Sequence, residues 1–430
     1  MFYILIASAF IPLAIMFGDR FIRVQNFVIN VPGMLGDGIR TPKELLNGFS
    51  LLAIIFNGLW YNKLKPFKNI TVLLCVIWIF FVTFLSKYEF SFSFLFYTIL
   101  GFLAIGVLSS IEKDDKFEKG THLFLKAIAI AGLLQCFYAT LQALVLDQYF
   151  IVRSTHFGYH IGDGQFSLRM VGFVGNPSLL SICLAMILPI YLYLKERWAK
   201  LAFILALLTI FACESTTGYL AGLAGIFFYL LFANRKLFII FSLILFITGL
   251  IFGNWLYNYR SNAFDNLFDG TGRIEIWKKG YKEWIDKYEE KENPDGSKTI
   301  LRNEKYALGA ITGHGLRSWE YEIGTAEKDP QKQWHEAHND FFQVAYETGV
   351  VGLTLFLIFI ASIFKVFFKN INRETIAMMS GLVSFGVSGL TLFPLYSSCI
   401  VLYAVIFAGL ILNTKKEAVC SLRGSFLQLF

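Results

Sequence analysis

The chain has 430 residues, 56% of them hydrophobic and only 16% charged, where an average soluble domain carries about 25% charged residues. Aromatics reach 17%, led by 46 Phe. This composition excludes a soluble globular protein and points to a polytopic membrane protein. The net charge of +7 is therefore no sign of nucleic acid, and none is expected as a partner; the basic residues read as orientation signals and contacts to membrane lipids.

Apolar runs long enough to cross a bilayer, or nearly so, need about 17–25 residues. They occur at 2–17, 46–61, 69–86, 91–111, 121–146, 173–194, 199–214, 216–233, 236–256, 341–364, 374–392 and 396–413. The expected fold is an all-α polytopic membrane protein with about 12 transmembrane helices and one long, mainly helical extracytoplasmic loop. Residues 1–256 form an N-terminal bundle of about nine spans, 257–340 the loop carrying site residues, 341–413 the C-terminal three spans, and 414–430 a cytoplasmic tail. No small-residue cleavage site follows the first apolar run, which reads as a retained helix. Within the loop, Glu289 to Lys298, with its Asp295-Gly296 pair, reads as a solvated turn between two helical pieces.

Lysine and arginine fix the expected orientation. The even connections hold Lys63, Lys65 and Lys68, then Lys113, Lys116 and Lys119, then Lys195, Arg197 and Lys200, then Arg235 and Lys236, then Lys365, Lys369 and Arg373. Lys415, Lys416 and Arg423 follow in the tail, whereas only Lys87 lies in a short odd connection. Both termini are therefore expected in the cytoplasm. Loop 18–45, with Arg20, Arg23, Arg40 and Lys43, departs from the rule and reads as partly interfacial. Loops 147–172 and 257–340 fall outside, and they hold His156, His160, His314, His335 and His338; His122 starts a helix on the cytoplasmic side. Histidine carries protons near neutral pH, so its segregation suggests a working outer face, unless polar residues merely collect in the polar loops. The cysteines at 75, 136, 183, 213, 399 and 420 avoid the long loop and lack metal-site spacing, so no structural disulfide is expected.

The richest segment runs from Trp334 through His335-Glu336-Ala337-His338-Asn339-Asp340 to Glu347, Gly349 and Gly352. His335 and His338 are three apart and would share a helical face. A zinc site needs a third ligand, for which His314 alone is near in sequence; no metal is expected. His338 reads either as a general base, kept neutral by the helix that follows, or as a residue closing that helix at the headgroup layer. Asn339 or Asp340 is its N-cap. Glu347, nine residues on, would face away from His338 on a regular helix and reads as a structural partner for a cation or backbone group. Gly349 and Gly352 allow close helix approach.

Upstream, Arg169 precedes Asn176-Pro177-Ser178, where Asn176 as N-cap and Pro177 at the first helical position mark a helix start. Arg169 then serves either a substrate phosphate at that N-terminus or lipid phosphates. Arg273 and Trp277, four apart, could share a helical face; Arg273 suits a diphosphate and Trp277 a sugar face or the membrane interface, while Arg273 could equally pair with Glu275 or Asp269. Gly313 and Gly315 flank His314 and suggest a loop where backbone comes close to something.

Taken in order, these elements resemble the O-antigen ligase and O-antigen polymerase superfamily of multi-span membrane glycosyltransferases. The matching pieces are Arg169 to Ser178, Gly272-Arg273 with Trp277, Gly313-His314-Gly315, and His338-Asn339-Asp340-Phe341 with Glu347, Gly349 and Gly352. The resemblance implies a glycan moved from a polyprenyl diphosphate carrier to an acceptor hydroxyl at the outer face of the bacterial inner membrane. Inversion at the anomeric carbon is implied, with no cofactor, metal or nucleotide sugar. It makes His338 the general base and Arg273 the ligand of the diphosphate leaving group, with Arg169, His314, His335, Asn339 and Trp277 around donor or glycan. Lipid A-core, a second glycan repeat and a protein hydroxyl are the family's acceptors, for ligase, polymerase and protein O-oligosaccharyltransferase respectively; one long loop without an appended domain favours ligase. The chain departs from the pattern at Thr216, where the family often has arginine after Ser215. Two readings from other classes stay open: a transporter of small anions or lipid-linked sugars, and a non-catalytic envelope scaffold.

Overall fold

A computed structural model describes residues 2–10, 42–61, 70–85, 91–111, 114–143, 160–162, 165–167, 170–259 except 171, 173 and 175, and then 273–285, 288–292, 298–302, 309–324 and 336–413. Arg169, His156, His335, the Asp295-Gly296 pair, most of loop 18–45 and the 414–430 tail lie outside the described residues.

Each apolar run holds a helix. In chain order these are α1 (Phe2–Ala9), α2 (Pro42–Tyr61), α3 (Ile70–Leu85), α4 (Ser91–Ser110), α5 (Asp115–Ala143), α6 (Pro177–Tyr193), α7 (Arg197–Ala212), α8 (Thr216–Ala233) and α9 (Arg235–Tyr259). After a loop helix, α10 (Arg273–Ile285), come α11 (Asp340–Lys369), α12 (Arg373–Ser388) and α13 (Ser398–Leu412). Among the described residues three helices are long and apolar enough to cross a membrane: Asp115–Leu141 within α5, α8 and α11. Large apolar side chains stand exposed along α3 (Phe80, Phe84), α7 (Leu201, Leu208, Phe211) and α9 (Ile239, Ile244, Phe246). An exposed apolar surface of this extent marks contact with lipid, and the chain is a helical membrane protein on both grounds.

At the centre, α6, α8 and α12 pack together. Helix α6 is buried along almost its whole length, from Leu180 to Tyr191. Small residues bring the three close, as is usual where no hydrophobic force separates helix from lipid. A Cβ on Gly218 would lie 2.2 Å from Ser181 Oγ, and one on Gly225 would lie 2.1 Å from Ser384 Oγ. Helices α2 and α3 pack on α4, α4 on α13, and α11 on α3. The α6 start follows the sequence: Asn176 accepts from the N–H groups of Ser178 and Leu179 at 2.9 and 3.1 Å, with Pro177 next.

The long loop differs from expectation. Where two helical pieces were expected around Asp295, strands β3 (Tyr288–Glu292) and β4 (Lys298–Arg302) pair antiparallel, with Glu292 opposite Lys298. The linking Asn-Pro-Asp-Gly-Ser sequence explains this: proline cannot continue a helix, and an Asp-Gly pair favours a tight hairpin turn. A second short hairpin, β1 (His160–Gly162) with β2 (Gln165–Ser167), precedes α6. The loop is thus mixed, with α10, a hairpin and a π-helical turn at Glu320–Gly324.

Helix α11 is broken. Gly349 has φ 71° and ψ −179°, a region open in practice only to glycine. The break turns three successive carbonyls outward to foreign donors. The Tyr346 and Glu347 carbonyls accept from the backbone N–H groups of His314 and Gly315 at 3.2 and 2.9 Å, and Thr348 O accepts from Trp78 Nε1 at 3.0 Å. Gly313 (φ 88°) and Gly349 interlock: a Cβ on either would lie 2.2 Å from a carbonyl oxygen, of Glu347 and Ile311 respectively. The backbone that Gly313 and Gly315 let approach closely is α11 itself.

Candidate active site

His338 sits at the turn into α11. Its φ of 53° is in the left-handed region, which a histidine occupies more readily than most residues. Asn339 is the N-cap, accepting from Phe342 N–H at 3.0 Å, so its side-chain oxygen serves the helix. Ala337 is fully buried and held from both sides: its N–H donates to Gln343 Oε1 at 2.9 Å and its carbonyl accepts from Trp277 Nε1 at 2.7 Å. Trp277, read from sequence as a sugar platform, commits its only N–H to fixing the residue before His338. Replacing it with Phe leaves a buried carbonyl unpaired, which costs about 1–3 kcal/mol; a lowered thermal midpoint in detergent, with the fold retained, checks this.

Arg273 opens α10 and reaches the same place. Its guanidinium disfavours protonation of His338, and burial does so more strongly, holding the imidazole down at about 4. Burial also lowers the Arg273 guanidinium, yet arginine begins so far above neutrality that it stays a cation. Arg273 Nε is buried with no hydrogen-bond partner among the described residues. Phe393 packs edge-on against the His338 ring, centroids 5.1 Å apart. The result is a neutral imidazole beside a cation with an open donor, on backbone held by α10 and α11.

Beneath it lies a small core of Ile276, Trp319, Ile323, Ala337 and Tyr346, with Trp284 and Phe342 against it. Gly280 lets α10 sit on Trp319, since a Cβ there would lie 2.4 Å from the indole. His314 belongs to this packing. Its ring stacks on Tyr346 at 4.6 Å, its Nδ1 lies 3.4 Å from Glu322 Oε2, and its side chain is 8% exposed. Tyr346 OH donates to the same Glu322 oxygen.

Glu347, fully buried, accepts from Gln343 Nε2 at 3.0 Å, Tyr396 OH at 2.8 Å and the Arg317 backbone N–H. Where the sequence left a cation or a backbone group as its partner, the Glu347 carboxylate lies against the Arg317 backbone N–H with the Arg317 charge nearby, on a helix that is not regular beyond it. Gly349 gives room to loop residues 311–313, and Gly352 to Trp78, whose Nε1 would lie 2.8 Å from a Cβ there. Trp277, Ala337, Gln343, Glu347 and Tyr396 form one hydrogen-bonded chain behind His338. Gln343 was legible as an i, i+4 partner of Glu347. Ala337 and Tyr396 carried no signal, because their role rests on backbone position and on a distant loop. At the departure site, Ser215 caps α8 by accepting from Gly218 N–H at 3.3 Å, and Thr216 is the first helical residue. Among the described residues no three His, Cys, Asp or Glu side chains group as metal ligands. Comparison with protein-family models and with curated proteins found no match to the chain.

Proposed function

We propose that the protein is an O-antigen ligase-like glycosyltransferase of the bacterial inner membrane. It would span the bilayer about 12 times, with both termini cytoplasmic and the His338 site on the outer face. The donor is a glycan on a polyprenyl diphosphate, and the acceptor is a hydroxyl of lipid A-core or a similar surface glycan. The observation that carries this reading is the placement of the half-buried His338 imidazole close to the Arg273 guanidinium, whose Nε is buried without a hydrogen-bond partner among the described residues. The imidazole lone pair takes the acceptor hydroxyl proton as the oxygen attacks the anomeric carbon. The bond from that carbon to the diphosphate oxygen breaks, its electron pair leaves on the diphosphate, and inversion results. Arg273 stabilises the charge growing on the leaving group. No arginine at position 216 assists, so Arg273 carries more of that charge than a family member with both would require.

The test is transfer in detergent from a polyprenyl-diphosphate oligosaccharide to core lipid, with glycan and protein acceptors in parallel. Arg273→Ala should lower kcat by about 10²–10³-fold, the usual loss on removing one such stabilising group, and Arg273→Lys should recover part of it. Transfer unchanged in Arg273→Ala sinks the diphosphate role. Transfer to glycan or protein alone moves the enzyme to polymerase or protein glycosyltransferase.

A second reading is favoured by the broken α11 with buried Glu347, a combination that transporters use for substrate and ion sites. Proteoliposome uptake of anions or lipid-linked sugars, with no transfer in the assay above, decides for it.

A further inference from the structure

The connection from α12 to α13, residues 389–396, meets the start of α11 at several points. Gly389 O accepts from Asp340 N–H at 2.8 Å, and Leu395 N–H donates to Asp340 Oδ2 at 3.0 Å. The half-buried Phe393 sets its ring edge-on to the His338 imidazole, centroids 5.1 Å apart. Tyr396 OH donates to Glu347 Oε2 at 2.8 Å. Pro394 opens a single 3-10 turn, closed by Tyr396 N–H to Phe393 O at 3.0 Å. Residues three apart on such a turn lie on one side, and Phe393 and Tyr396 both reach α11.

Two further bonds carry the Tyr396 contact to the backbone around His338. Glu347 Oε1 accepts from Gln343 Nε2 at 3.0 Å, which leaves the Gln343 amide oxygen turned to Ala337 N–H at 2.9 Å. Gln343 also donates its own N–H to Asn339 O at 3.0 Å. Both chain neighbours of His338 are therefore tied to one buried residue. His338 itself has φ 53°, a sparsely populated conformation that persists only where its surroundings hold it.

We infer that Phe393 and Tyr396 are positioning residues of the His338 site: Phe393 seats the imidazole and shields one side of it from water, and Tyr396, acting through Glu347 and Gln343, holds the backbone that carries it. Their role in turnover rests on His338 being the base of the proposed transfer. Around the ring, Arg273 on α10 supplies the positive charge, and Asp340 and Glu347 follow on α11 itself. Residues 389–396 carry no charged side chain, so this turn acts through cover and hydrogen bonds. Burial is the larger of the two influences that hold the imidazole low. Removing the Phe393 ring hydrates it and lets its titration rise.

The full chain, labelled with 15N-histidine, would be titrated by NMR in one detergent, the His338 ring being assigned by its loss in His338→Asn. Phe393→Ala should raise the His338 midpoint by about one pH unit or more, and Phe393→Leu, which keeps apolar cover, should return most of it. Tyr396→Phe keeps the ring at 396 but cuts the bond to Glu347, and should raise the midpoint by a smaller amount. Tyr193→Phe cuts a 3.0 Å bond to Glu374 at the opposite end of α12 and should leave it in place, which separates a seat from a general loss of stability. In the transfer assay Phe393→Ala and Tyr396→Phe should each lower kcat about tenfold or more with KM little changed. The midpoints are read whether or not glycan moves, so raised midpoints without any transfer would count against the glycosyltransferase reading alone. An unmoved midpoint in Phe393→Ala or in Tyr396→Phe, or an equal rise in Tyr193→Phe, would overturn the inference.

Discussion

His338→Asn should reduce glycan transfer by about 10²–10⁴-fold, the usual contribution of a general base, with binding of the donor little changed. Asparagine is the informative replacement because it tolerates the left-handed backbone at this position; an alanine would mix strain with loss of the base. The pH profile adds a second readout. The imidazole is held at about 4 by burial and by Arg273, below the ordinary 6.5, so the proton-accepting form dominates from neutrality down to that value. The acid limb of kcat/KM assigned to this group should therefore fall near pH 4. Arg273→Ala removes one of the two causes and should move the limb upward. The stability consequence has a definite sign. Between pH 6.5 and 4 the unfolded chain binds a proton that the folded site refuses, so stability falls as pH drops through this window, by about 3 kcal/mol from this group at most. Full transfer by His338→Asn would remove the residue from the chemistry, and an acid limb at pH 6.5 would show an imidazole more hydrated than the structure has it.

Helix positions were legible because apolar runs in a membrane protein are limited by bilayer thickness, and few other signals compete. Polar punctuation was legible too: Asn176-Pro177 and Asn339 cap helices where their local chemistry says they should. The hairpin at Tyr288–Arg302 was missed because charged strands flanking a proline carry no helix or strand period, and only the Asp-Gly pair spoke. The site was read by residue type, which put Arg273 and His338 at one level on one side of the membrane; that α10 and the turn into α11 bring the two close together is a tertiary fact. Residue type could not distinguish a side chain aimed at a substrate from one holding the frame. Trp277 and His314 have the chemistry of ligand contacts, but one donates to Ala337 and the other stacks on Tyr346, partners separated from them by long stretches of chain. Asp340 read as a capping alternative to Asn339; its buried carboxylate instead accepts from Leu395 N–H at 3.0 Å, a partner in the 389–396 segment that nothing local announces.

Gly349→Ala should be strongly damaging for so small a substitution, with a loss of about 3–5 kcal/mol or failure to accumulate folded protein. Two independent costs combine. The backbone at φ 71° and ψ −179° costs any residue with a Cβ about 1–3 kcal/mol, and the Cβ itself would lie 2.2 Å from Ile311 O and 2.5 Å from Gly313 N. These neighbours are backbone and cannot swing aside. If α11 instead straightens to relieve the strain, the Tyr346, Glu347 and Thr348 carbonyls turn back into the helix, and His314 N–H, Gly315 N–H and Trp78 Nε1 lose their acceptors. Glu347 then parts from the Arg317 backbone that its carboxylate holds, and the hydrogen-bonded chain through Gln343 to Ala337 loosens behind His338. Gly386→Ala on α12 is the matched control, since its Cβ enters open space and alanine favours a helix by roughly 1 kcal/mol over glycine. Thermal unfolding of both variants in one detergent separates the cases: a collapse at 349 with no loss at 386 follows from the broken helix, whereas equal midpoints would mean that α11 runs straight and that loop 309–324 is held by other contacts.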